Sequence, residues 1–71
     1  MNEQITVFVD DKPVRLYRGM QVKHALIACS DSLYKAADRG EIVVVDQYGF
    51  RLGLEGALHE DSRIFTRLRT A

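Results

Sequence analysis

The side chains able to do chemistry are few in this chain, and their spacing scatters them. Cys29 is the one cysteine, so neither an internal disulfide nor a zinc or iron–sulfur site with several cysteine ligands can be built within one chain. It falls on an apolar helical stripe near the helix's C-terminal end, away from the helix N-terminus that would activate a thiolate, and reads as a small core residue. His24 and His59 are separated by a helix and a strand, a spacing that suits local hydrogen bonding or solvation better than a shared metal. Asp10 with Asp11, and Glu60 with Asp61, pair carboxylates as an acid–base site would, yet turn formation accounts for both pairs. Gly49, Gly53 and Gly56 lack the lysine and following helix of a phosphate-binding loop and read as turn glycines. No nucleophile, base and oxyanion-donor set can be assembled, so the expectation is no catalytic residue, no metal and no cofactor.

Two groups of residues suit binding instead. Arg63, Arg67 and Arg69 occupy alternate positions of a final strand and project from one face, where Arg51 could join them in a local basic patch for phosphate or an acidic partner. A solvated strand face is the plainer account of the same residues. Tyr17, Tyr48 and Phe50 offer an exposed aromatic contact of the kind that anchors protein interfaces.

The elements that must position these groups follow from periodicity. Ile5, Val7 and Val9 alternate with Thr6 and Phe8 as a strand. Asp10-Asp11-Lys12-Pro13 reads as a turn, and Val14 to Arg18 as the second strand of a hairpin that Gly19 ends. From Gln21 the period changes: Val22, Ala25, Leu26 and Cys29 lie on one helical face. Ser30-Asp31-Ser32 interrupts that helix, because these side chains compete for backbone hydrogen bonds. Ser32 or Asp31 is then expected to cap a short second helix over Leu33 to Ala37, with Gly40 as its left-handed end. Ile42 to Val45 is a β-branched run for a central strand, Asp46 to Gly49 a turn, Phe50 to Leu54 a short strand passing into a loop, and Arg63 to Arg69 the last strand. The core is expected to join the helical stripe to Ile5, Val7, Val9, Val14, Leu16 and the strand from Val43 to Val45.

Strand, strand, helix, strand, short strand, strand is the element order of the β-grasp (ubiquitin-like) fold, and local sequence resembles that superfamily from about Ile5 to Arg69. Arg18-Gly19-Met20-Gln21-Val22-Lys23-His24-Ala25-Leu26 looks like the glycine-then-apolar-helix entry of ubiquitin-like sulfur carriers, TGS domains and plant-type ferredoxins. Asp46-Gln47-Tyr48-Gly49, followed by Ala57-Leu58-His59-Glu60-Asp61-Ser62-Arg63-Ile64, is similar to their turn, glycine, leucine, acidic turn and final strand. The resemblance implies an α+β domain with a mixed four- to five-stranded sheet on one main helix. It does not choose a function. The sulfur carriers act through a C-terminal Gly-Gly where this sequence reads Arg67-Leu68-Arg69-Thr70-Ala71, and the ferredoxins need four cysteines where it has Cys29.

The 71 residues, 46% of them hydrophobic and 28% charged, suit one domain over residues 1–71, since a compact core needs on the order of 50 residues. Ten Lys plus Arg balance ten Asp plus Glu, so the basic excess that marks a dedicated nucleic-acid binder is missing. No apolar run approaches the roughly 18 residues of a membrane span, and Met1-Asn2-Glu3-Gln4 does not open a leader. Together with cysteine usage this gives a cytoplasmic expectation. The leading expectation is a non-catalytic protein-interaction module or small accessory subunit, with a heteromeric partner or a homodimer joined at an open strand edge, where the short Phe50-to-Leu54 strand offers limited cover. The rival is TGS-like ligand, nucleotide or RNA binding through the arginine-bearing strand face.

Overall fold

The computed structural model describes residues 3–69. Seven elements follow in order: β1 (Gln4–Val9), β2 (Lys12–Tyr17), α1 (Val22–Cys29), α2 (Asp31–Asp38), β3 (Ile42–Asp46), β4 (Arg51–Leu52) and β5 (Arg63–Leu68). The strands form one sheet in the order β2-β1-β5-β3-β4. Only β1 and β5 run parallel; the other neighbours are antiparallel. The protein is therefore α+β, with a mixed five-stranded sheet and two helices. Among the described residues no helix is long and apolar enough to cross a membrane.

The first hairpin is tighter than the sequence suggests. Its loop is Asp10-Asp11, with φ of 50° and 68°, the two positive values that a two-residue turn matched to strand twist demands. Aspartate tolerates that region better than most residues. Pro13 consequently lies inside β2, opposite Phe8, and not in the turn. Val9 and Lys12 close the loop as a doubly bonded pair, so the next pair, Phe8 and Pro13, is a non-bonded one. The proline nitrogen faces away from β1, where its missing N–H costs the sheet nothing.

The sheet's inner face and α1 bury Ile5, Val7, Val9, Leu16, Val22, Ala25, Leu26, Val44 and Ile64 in one cluster. Val14 and Cys29 pack at its margin, half-buried. Of the β-branched run in β3, Val44 alone joins this cluster. Val45 pairs with Phe65 and Arg51, and Val43 with Arg67, which places both valines on the outer face because neighbours across a sheet share a face. Val45 is nonetheless buried there. The β3 strand is next to last in the sheet, not central.

Leu58, in the loop before β5, completes the core at 6% exposure. The same loop starts α1: Val22 and Lys23 donate their N–H groups to the carbonyls of Gly56 and Leu54, and Gln21 N–H donates to His24 Nδ1. Partners from elsewhere thus satisfy the orphan donors of a helix that lacks a Ser, Thr or Asp cap. Gly56 suits the loop's own turn, since a Cβ there would lie 3.2 Å from the Gly53 carbonyl oxygen.

The interruption after Cys29 is a single extended residue, Ser30. Helix α2 begins at Asp31 itself with Ser30 as its cap residue, and neither Ser32 nor Asp31 caps it. It is eight residues long, the same as α1, and so is not the shorter of two. Gly40, at φ 78°, follows its end in the left-handed conformation expected.

Candidate functional site

Strand β2 forms one edge of the sheet and α1 returns antiparallel beside it, leaving a groove between them. At the Tyr17 end this groove opens into a largely apolar cleft of ≈ 260 Å³ lined by Leu16, Tyr17, Met20, His24, Ile27 and Ala28. Tyr17 and Ile27 stay 57% and 44% exposed. At the Lys12 end a second cleft is bounded by Asp10, Lys12, Cys29, Ser32 and Leu33. Neither β2 nor α1 contains an acidic residue.

The backbone along this edge follows from hairpin register. Because Val9/Lys12, Val7/Val14 and Ile5/Leu16 are the bonded pairs, Pro13, Arg15 and Tyr17 turn their backbone groups outward. Two bonds elsewhere obey the same register: Arg18 N–H donates to the Glu3 carbonyl, and Phe8 N–H turns the other way to Ser62 on the β5 side. Met20 N–H, at 3.2 Å, already occupies the Tyr17 carbonyl. What remains open among the described residues is the Pro13 carbonyl, both groups of Arg15 and the Tyr17 N–H.

The arginine face is less unified than its spacing implies. Arg63 and Arg67 flank Phe65 on the outer face of β5, and Arg51 joins that face from β4 through Val45. Arg63 is engaged locally, its guanidinium 4.4 Å above the Phe8 ring and 3.6 Å from the Asp11 carboxylate. Arg69 lies past the end of β5; its N–H donates to the Glu41 carbonyl, and its guanidinium rests over Gly40. Of the four arginines, Arg51 and Arg67 alone share the outer face without such an engagement among the described residues.

The aromatic residues do not converge either. Tyr48 and Phe50 sit on the β3–β4 hairpin, 76% and 70% exposed, where Asp46 Oδ1 accepts from both of their N–H groups at 2.8 and 2.9 Å. Tyr17 is on the opposite edge strand, four strand spacings or about 19 Å away. One shared contact through all three is ruled out by that distance.

The remaining chemistry-bearing residues serve the scaffold. Asp10 accepts from Thr66 N–H at 2.9 Å and from Thr66 Oγ at 2.6 Å, tying the first hairpin to β5. Glu60 accepts from Thr6 N–H at 2.6 Å, and Asp61, at φ 64°, occupies the neighbouring turn. His24 is locally bonded. Cys29 is half-buried at the rim of the second cleft and not inside the core. Among the described residues no three His, Cys, Asp or Glu side chains gather as a metal site would need.

The β2–α1 cleft was not foreseen, although one signal pointed to it. Ile27 and Ala28 are apolar yet lie off the stripe of Val22, Ala25, Leu26 and Cys29, so α1 is apolar on a second side that the sheet cannot cover. The chain matches no protein-family model, no curated protein and no solved structure.

Proposed function

We propose that this chain is a β-grasp domain acting as a non-catalytic interaction module, and that it receives another protein along the β2 edge. The fold reading is supported by the hairpin–helix–sheet order and by a parallel β1–β5 pair at the centre of the order β2-β1-β5-β3-β4. The observation that carries the functional reading is the coincidence, along one strand, of unanswered backbone groups and the apolar cleft holding Tyr17 and Ile27. An open edge pairs readily with another chain. A half-exposed isoleucine and tyrosine in a concave setting supply the apolar anchor that such pairing needs. The arginine face is the weaker candidate, because Arg63 is spent on Phe8 and Asp11 and Arg69 lies apart.

The test compares Ile27→Asp, Tyr17→Ser and Arg67→Glu in quantitative capture of proteins from a nuclease-treated lysate, with the fold of each variant checked by circular dichroism. Ile27→Asp and Tyr17→Ser are expected to remove a captured protein that Arg67→Glu retains. The reverse pattern would overturn the β2-edge reading in favour of the arginine face.

A further inference from the structure

We infer that the occupant of the β2 edge is an extended acidic peptide segment added as a further strand beside β2, with apolar residues at two positions separated by one. This deepens the interaction-module reading and rests on it. Register follows from which backbone groups are open: the Pro13 carbonyl, the Arg15 N–H and carbonyl, and the Tyr17 N–H. In a parallel ladder each bonded residue bridges two residues of its neighbour. One peptide residue, p, would donate to Pro13 and accept from Arg15; residue p+2 would donate to Arg15 and accept from Tyr17. Those four bonds use all four open groups. An antiparallel partner reaches the same four groups, with one residue exchanging two bonds with Arg15 while its second neighbours bond the Pro13 carbonyl and the Tyr17 N–H; in either direction one peptide residue lies opposite Arg15, between two that lie opposite Val14 and Leu16.

The same register sets side-chain chemistry. Residues p and p+2 align with Val14 and Leu16 and so share their face, toward α1 and the cleft beside Ile27 and Ala28. Apolar side chains belong there. Residue p+1 aligns with Arg15 and p−2 with Lys12, neither of which has an ion-pair partner among the described residues. With no acid on β2 or α1, the edge favours a carboxylate opposite Arg15; opposite Lys12 the preference is weaker, because Asp10 lines the same cleft. A second copy of this chain is a poor occupant, since a two-fold pairing of β2 edges would bring together two strands that each carry Lys12 and Arg15 and no acid.

The probe is a fluorescent peptide, Gly-Glu-Ser-Val-Glu-Leu-Ser, capped at both ends, with p at the valine, alongside a control carrying Lys for both Glu. Anisotropy should show the acidic peptide binding at least about ten-fold more tightly than the control, with affinity falling as salt rises. Arg15→Glu, on an exposed position, should reverse that preference while leaving the amide spectrum of the folded protein otherwise intact. N-methylation at the valine or leucine should abolish binding of a parallel strand, and N-methylation at the intervening Glu that of an antiparallel one. A nitroxide on the peptide N-terminus should broaden the amides of Asp11 to Val14 in the first case and those of Arg18 and Gly19 in the second. Broadening away from β2, indifference to methylation at all three positions, or equal binding of the Lys control would overturn the inference. If neither peptide binds but Ile27→Asp still abolishes protein capture, the acidic-peptide inference falls and the module reading stands. If capture is also indifferent to Ile27, both fall.

Discussion

Helices α1 and α2 have equal length and are separated by one extended residue, yet α1 hides Val22, Ala25 and Leu26 completely while α2 has no buried residue. Segregation of polar from apolar side chains does not explain this. In α2 the two are well separated, with Asp31, Lys35 and Asp38 exposed and Leu33, Tyr34 and Ala37 turned to the core margin. Placement against the sheet decides the matter. Helix α1 packs on the β1–β2 hairpin and shares its buried cluster with Leu58, whereas α2 meets the sheet at β3. One helix is a wedge that the fold requires; the other is a cover laid on its margin.

The comparison breaks most sharply at Leu26. Removing a fully buried leucine costs about 2–5 kcal/mol, a large share of what a domain of this size can hold. Leu26→Ala should therefore show a strongly lowered urea midpoint, and the matching change in α2, Leu33→Ala, a clearly smaller shift. Equal shifts would mean that α2 is as deeply seated as α1.

This asymmetry was partly legible in the sequence. The stripe of Val22, Ala25 and Leu26, the alternation of Ile5, Val7 and Val9, and the left-handed Gly40 rest on local periodicity and steric preference, and each appears as read. Pro13 went astray because an aspartate pair can make the tight turn alone, which leaves the proline harmless on a strand edge. Val43 and Val45 went astray because an unbroken β-branched run conceals which residues face inward; partners distant in sequence, Phe65 and Arg51, settle it. Leu58 carried no period to reveal it, lying in a loop whose burial depends on the tertiary course of the chain. The candidate site was least legible for the same reason, since its open backbone groups are defined by hairpin register and its cleft by two elements that meet only in space.

A smaller effect is expected where α2 ends. Gly40 has φ 78°, and an L side chain in the left-handed region costs about 1–2 kcal/mol. The Cβ of Gly40→Ala would also lie 3.3 Å from the Arg69 guanidinium, a flexible group that can give way, so the backbone should dominate the loss. Gly40→Asn should recover part of it, because asparagine accepts this conformation more readily. Full recovery by Arg69→Ala in the Gly40→Ala background would instead assign the cost to the contact.

The smallest effect separates the cover from the wedge by its electrostatics. Asp31 and Lys35 stand one turn apart on α2 with their charged atoms 3.1 Å apart, both side chains about two-thirds exposed. An exposed pair of this spacing contributes about 0.3–0.5 kcal/mol, with the acid toward the helix N-terminus as its dipole favours. A double-mutant cycle through Asp31→Asn and Lys35→Ala should return a coupling of that order at low salt, fading as ionic strength rises and the charges are screened. Helix α1 has no acid of its own, and its Lys23 stands a longer 4.0 Å from the Glu55 carboxylate, so its stability should respond less to salt. The amides of α2 should therefore lose more hydrogen-exchange protection than those of α1 when salt is added. A coupling that persists undiminished in high salt would show that the pair sits in a less exposed setting, and that α2 is held more firmly against the sheet than a marginal cover would be.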